Sequence, residues 1–230
     1  MPARCVFDIE TLGMPFDSFD EAQQTYLLHG ADTPEKQQEA IEKLSLYNLT
    51  SRVIAIAMLN PDTDRGKVLY ESPTRESWTD ANGTVEFIGT DESGLLQEFW
   101  RDIARYDQVI TFNGRGFDAP FVMIRSAILG LKASCNLMPP RYNAREHCDL
   151  LEQLTFYGAT RKFNLHFYCK AFGIKSPKSE GITGLSLREL HEKGEYRAIA
   201  KYCLGDVVAT AELFRRWDRH LNFQGGAGQP

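Results

Sequence analysis

Residues 52–59 read RVIAIAML, a near-continuous apolar run of strand length. Such a strand needs cover on both faces, which calls for a sheet with helices on either side. The run at residues 4–11 has a different pattern. Side chains alternate along a strand, so Cys5, Phe7 and Ile9 point to one face and Val6, Asp8 and Glu10 to the other. The face opposite the acids is wholly apolar, so this first strand also reads as central. Two carboxylates on a central strand repel each other and destabilise the fold unless something cationic lies between them.

Further strands are expected at 67–71, 85–88 and 108–112, with a polar loop between the first two of these. Helical spacing runs through Leu95, Leu96, Phe99, Trp100 and Ile103 within 92–106, and an apolar helix is expected over 117–131. Pro139-Pro140 breaks the chain. Helices follow near 150–157, 165–172, 187–193 and 196–220, with a Gly/Pro/Ser-rich loop at 173–184. Between the first two strands, residues 14–50 carry seven Asp and Glu against two Lys and read as an acidic, partly helical insertion. There Thr33 is expected to cap a helix that starts at Pro34, with Ile41, Leu44 and Tyr47 as its apolar stripe. Strands come early and helices late, which predicts an α/β class with a mixed sheet. One domain over residues 1–222 accounts for the pattern, with 223–230 a disordered tail.

Charge and cysteine usage narrow the function classes. The net charge of −5 argues against coating nucleic acid through bulk electrostatics. The segment 141–178 is locally basic, however, with seven Lys and Arg against three Asp and Glu, either a solvated face or a track for phosphates. The five cysteines include no C-x-x-C pair, which predicts reduced thiols and a cytoplasmic setting rather than a disulfide frame or a zinc site. No apolar run approaches the roughly 18–20 residues of a membrane span, and the start has no signal-peptide pattern.

Two more clusters carry candidate chemistry. FNGRGFDAPF at 112–121 sits at a strand-to-helix junction where glycines let the backbone turn. Gly114-x-Gly116-x-x-Ala119 formally fits a dinucleotide fingerprint, but no acid follows at the ribose position and Asp118 would face the pyrophosphate. Asp118 as a metal ligand is the better functional reading, and a helix-capping aspartate is the structural alternative. YCLGDVVAT at 202–210 places Tyr202 and Asp206 one turn apart on one helix face, with apolar residues around the acid. By spacing alone this also fits a half-buried tyrosine beside a solvated aspartate.

Together, FDIET at 7–11, FNGRGFDAPF at 112–121 and YCLGDVVAT at 202–210 resemble the three exonuclease motifs of the DEDD superfamily. They are most similar to the proofreading domain of B-family DNA polymerases and its stand-alone bacterial relatives. The resemblance runs from Phe7 to about His220 and implies a ribonuclease H-like fold, a mixed five-stranded sheet flanked by helices. It implies Asp8, Glu10, Asp118 and Asp206 as metal-binding carboxylates and Tyr202 as the mark of the tyrosine subtype; the histidine subtype's position holds Lys201. HCDL at 147–150 and KFNL at 162–165 resemble secondary blocks of the family, with Asp149 a supporting residue.

The implied activity is 3′–5′ hydrolysis of phosphodiester bonds, releasing nucleoside 5′-monophosphates from single-stranded or frayed DNA. Two divalent cations roughly 3.5–4 Å apart lower the pKa of the attacking water and neutralise the leaving oxygen. Hard oxygen ligands suit Mg²⁺ or Mn²⁺, with Asp8 bridging and Tyr202 positioning the water. Thr11, Leu12, Asn113 and Phe117 are the matched candidates around the terminal nucleotide, and Arg141, Arg145, Arg161, Lys162 and Lys170 for the incoming strand. The alternatives are RNA as the substrate, or a non-catalytic domain that binds nucleic acid or a partner. The 14–50 insertion is the candidate contact for a protein partner.

Overall fold

The computed structural model describes residues 2–176 and 184–223. Strands β1 (Arg4–Gly13), β2 (Ser51–Leu59), β3 (Gly66–Glu71), β4 (Glu76–Thr79), β5 (Val85–Thr90), β6 (Gln108–Thr111) and β7 (His147–Asp149) form one sheet in the order β4-β5-β3-β2-β1-β6-β7. The sheet is mixed: β2 is antiparallel to β1 and β3, and β6 is parallel to both β1 and β7. β1 is therefore central, as its two-sided burial pattern predicts.

The sheet has seven strands where the sequence predicts five. The additions are β4 and β7. β4 lies in the supposed polar loop and offers a single aromatic, Trp78, whose ring stacks on Phe87 of β5 at 3.8 Å between centroids. β7 has only three residues, too few to show a period.

Helices cover both faces. Helices α3 (Glu92–Ile103) and α4 (Asp118–Ile128) cover Cys5, Phe7 and Ile9, with Phe7 and Phe99 rings 5.4 Å apart. On the opposite face lie α5 (Leu150–Leu154), α6 (Leu165–Ala171), α7 (Gly184–Glu192) and α8 (Tyr196–His220). The core there joins Val6, Ala55 and Ala57 to Cys203, Val207 and Ala211 of α8. Burying a side chain such as Phe99 or Leu213 stabilises the fold by roughly 1.5–3 kcal/mol. Most of the expected 173–184 loop, and the expected tail beyond Phe223, lie outside the described residues. Among those described, no helix is long and apolar enough to cross a membrane.

The alanines of RVIAIAML have a specific place. In the β1–β2 register Asp8 lies opposite Ala57 and Glu10 opposite Ala55, with a bulge just beyond, between Glu10 and Thr11. Ile54 and Ala55 both belong to the cluster on the α8 side, so the extra residue of the bulge is on β2. Small side chains beside the acids leave room for α8 to approach the sheet.

The 14–50 insertion is tied at its base, where the Met14 N–H donates to the Thr50 carbonyl at 2.8 Å. Its helix α1 (Glu21–Leu27) carries a capping box from Asp20, and α2 (Pro34–Glu42) is capped by Thr33 with Pro34 first, as predicted. The predicted stripe breaks at its end. The helix stops at Glu42 and tightens into a 3₁₀ turn over Lys43–Leu46, which buries Leu44 and turns Tyr47 out to 54% exposure. Leu44→Ala is expected to lower stability by about 2–4 kcal/mol, whereas Tyr47→Ala should stay within about 0.5 kcal/mol. Urea denaturation of both variants checks this, and equal effects would show that the turn does not anchor the insertion.

Candidate active site

Three elements meet at the C-terminal half of β1. The β1–β6 pairing ends at Val6 and Ile110, where β6 peels away into the Phe112–Phe117 turn. The turn is tightly built. Asn113 is left-handed at φ 64°, and a Cβ on Gly114 would lie 2.4 Å from the Thr111 side chain. The Asp149 carboxylate clamps it, accepting the N–H of Asn113 at 2.9 Å and of Arg115 at 3.0 Å while also capping α5 through Leu151 at 2.9 Å. Asp149 is thus a supporting residue.

Asp118 is not the cap of α4: Phe117 holds that position, without a side-chain cap bond. The Asp118 Oδ1 instead accepts the Ile9 N–H at 2.9 Å. This donor lies past the end of the β6 pairing and between the two acids of β1. One hydrogen bond therefore holds the second motif against the first, 109 residues away in sequence. From the other side, α8 brings Tyr202, Cys203 and Asp206. Oxygens of Asp8 and Glu10 and the Cys203 Sγ all lie within 4.8 Å of one another.

The electrostatics show how crowded the carboxylates are. Burial, then the charges of Asp118, Asp206 and Glu10, hold the Asp8 pKa well above the ordinary carboxylate range. Burial pushes Asp118, only 3% exposed, up to about 7, against the pull of the Ile9 N–H. Asp118 and Asp206 lie outside the 4.8 Å group, yet their charges reach Asp8. Burial, followed by the charges of Asp206, Glu10 and Asp8, raises the Tyr202 pKa, so its phenol stays neutral and can donate.

Cys203 is the neighbour that sequence spacing did not single out. Burial, then the same acids, push its thiol pKa far up, and the S–H donates to the Asp8 carbonyl at 3.5 Å. That S–H is spent on the carbonyl, and the other ligand atoms of the close group are carboxylate oxygens. The donor set is therefore hard oxygen, and a cluster of carboxylates with raised pKa values is one that a divalent cation would relieve. These residues fit Mg²⁺ or Mn²⁺ and do not fit a soft metal.

The other predicted residues are placed unevenly. Asn113 is exposed beside the cluster. Phe117 is half-buried and tilts against Phe121 at 5.2 Å. The Thr11 hydroxyl donates to the Ser45 carbonyl at 2.6 Å, and Leu12 is buried in the core. Among the basic residues, Arg141 pairs with Glu152 at 2.8 Å, Arg161 lies over the Phe163 ring at 4.9 Å, and Arg145 and Lys170 are exposed.

A second support had no signal in spacing. The His147 Nδ1 meets the Leu137 carbonyl at 2.8 Å, so the ring proton sits there and Nε2 accepts the Thr111 hydroxyl at 2.9 Å. The same hydroxyl oxygen accepts the Gly114 N–H at 3.2 Å. Burial lowers the His147 pKa to about 4, which keeps this chain neutral.

A family model described as "Predicted 3'-5' exonuclease related to the exonuclease domain of PolB" matches residues 46–224. The matched span takes in Asp118, Tyr202 and Asp206 and begins beyond Asp8 and Glu10. The structure is similar to that of the family B DNA polymerase from the hyperthermophilic archaeon Pyrobaculum calidifontis. The TM-score is 0.61 at 17% identity, over 94% of this chain and 24% of the polymerase. The chain thus spans about a quarter of that polymerase, and the likeness is one of fold, ribonuclease H-like with helices on both faces of a mixed sheet. A search of curated proteins finds no match.

Proposed function

The chain belongs to the family of predicted 3′–5′ exonucleases related to the exonuclease domain of PolB, and from that premise we propose a metal-dependent exonuclease of the tyrosine subtype. Its substrate is the 3′ end of single-stranded or frayed DNA, and its product is nucleoside 5′-monophosphate. The observation that carries this reading is the convergence of Asp8 and Glu10 from β1, Asp118 from the start of α4 and Asp206 from α8, buried and close enough that together they raise the Asp8 pKa. Structural carboxylates are normally neutralised by paired cations or hydrogen bonds rather than set against one another.

Asp8, Glu10, Asp118 and Asp206 would hold two divalent cations, Mg²⁺ or Mn²⁺, which supply water activation and charge neutralisation at the leaving oxygen. The protein contributes position. Asp8 and Glu10 project from a central strand with little freedom to move, and Asp118 is fixed by the Ile9 N–H. Tyr202, neutral and one turn before Asp206, is hydrogen-bonded to that carboxylate and would turn its O–H to the attacking water once cations occupy the acids. A phenol with a raised pKa is a donor and not the base. Asn113 presents its amide, and Phe117 the exposed part of its ring, to the terminal nucleotide. Thr11 and Leu12 contribute through the backbone at the bulge, since their side chains are occupied. The insertion exposes Tyr26, Leu46, Tyr47 and Leu49 and is the surface offered to a protein partner.

A 5′-labelled single-stranded DNA oligomer incubated with Mn²⁺ is expected to give a descending ladder that EDTA abolishes. A faster ladder on the matched RNA would change the substrate and keep the chemistry. No ladder on DNA, RNA or frayed duplex ends would sink the enzyme reading and leave a binding domain.

A further inference from the structure

Beside the turn that leads to Asp118 a cavity of about 260 Å³ opens, lined by Asn113 and Gly116 of the turn and by Arg115, Arg141, Lys162 and Glu152. Three cations from three separate segments meet here. The one segment they share with the catalytic carboxylates is the turn before Asp118. Of the two acids present, Asp149 is held by backbone N–H groups and Glu152 lies between Arg115 at 3.6 Å and Arg141 at 2.8 Å.

Arg115 is the informative residue. Its side chain is only 9% exposed, and Nη2 is fixed on the Pro139 carbonyl at 2.7 Å. Its Nη1 is buried and has no hydrogen-bond partner, alone in that respect among the buried side-chain nitrogens and oxygens of the described residues. A guanidinium carries five N–H donors in a fixed fork, and burying one without an acceptor is unfavourable. An acceptor is missing here, and Arg115 lines a cavity in which three cations outnumber two acids.

We propose that this cavity is a phosphate subsite that holds a backbone phosphate of the single strand upstream of the bond being cut. The inference rests on the exonuclease reading and adds to it the residues that grip the strand. Arg115 supplies the fixed fork, while Arg141 and Lys162, both on the surface, close over the phosphate as it enters. Asn113 lines the cavity as well as facing the terminal nucleotide, so the two sites are contiguous. Lys162 precedes Phe163 and Phe167, which are 38% and 58% exposed and offer rings for the bases that follow. Arg141 and Lys162 are among the basic residues read from the sequence; Arg115, inside the second motif, is not.

The test compares two substrates and one binding measurement. The p-nitrophenyl ester of thymidine 5′-monophosphate has no upstream phosphate, whereas a deoxythymidine oligomer has several. For the Arg141→Gln/Lys162→Gln pair, and separately for Arg115→Met, the ratio of kcat/KM on oligomer to that on ester is expected to fall about tenfold, mostly through KM. In an Asp8→Asn background, fluorescence anisotropy of a labelled oligomer should show weaker binding. The slope of log K against log salt should shrink by about 0.7 for each phosphate that the variant no longer neutralises. An unchanged ratio with an unchanged salt slope would overturn the subsite even if the wild type is an active nuclease. Failure of the wild type on both substrates would instead overturn the choice of DNA as substrate, and the anisotropy would still decide the subsite.

Discussion

Asp8→Asn is expected to reduce turnover of single-stranded DNA by at least about a thousandfold, equivalent to roughly 4 kcal/mol of transition-state stabilisation. Asp8 lies at the electrostatic centre of the cluster: Asp118, Asp206 and Glu10 all act on it. The amide nearly matches the carboxylate in shape but removes the charge that a divalent cation needs. The control is Glu39→Gln on the exposed insertion, which should stay within twofold of the wild type. Single-turnover rates at saturating Mn²⁺ separate lost chemistry from lost cation affinity. A variant that keeps more than a tenth of the rate would show that these carboxylates do not carry the reaction.

Asp118→Asn should make the metal-free protein more stable while it makes the enzyme worse. An acid whose folded pKa is raised contributes fully below its unfolded value near 3.8, and the contribution is lost as pH rises toward the folded value of about 7. At pH 7.5 in EDTA the wild type bears that whole penalty. Removing the charge should recover on the order of 4 kcal/mol, or roughly 8–16 °C in Tm for a chain of this size. The Asn oxygen can still accept the Ile9 N–H. His147 has the opposite sign, since its pKa of about 4 means stability is lost as pH falls from 6.5. The comparison is therefore the difference between variant and wild type, in which His147 cancels. With saturating Mn²⁺ the order should reverse, because a ligand bound only by the native state stabilises it. Equal Tm values in EDTA across pH 5–8 would show that the carboxylates do not repel as the geometry implies.

How much of this was legible in the sequence depends on the range of each interaction. The two-faced pattern of residues 4–11 was enough to place β1 in the middle of the sheet, because burial on both sides leaves a record in every residue. Tyr196–His220 was read to its ends for the same reason: a long amphipathic helix repeats its signal many times. β4 and β7 left no such record, because four and three residues repeat a two-residue alternation at most twice, too few times to stand out. At the site, the five acid and tyrosine positions were readable as a set only through their resemblance to known motifs. The bonds that assemble them were not. Asp118 to Ile9 spans 109 residues and Thr111 to His147 spans 36, and no local pattern encodes either bond. Tyr47 shows the opposite failure, where helical spacing was extended one turn past the residue at which the helix tightens.

The alanines opposite Asp8 and Glu10 have a consequence for how such a site changes over time. Their methyl groups help set how closely α8 lies against the sheet, and so the separation between the acids of the strand and the acid of the helix. The aperture of the cluster is thereby fixed by side chains that carry no charge. A drift in packing on this face would register first as altered chemistry and only later as lost stability. In this protein the hydrophobic core acts as the ruler against which the reaction is measured.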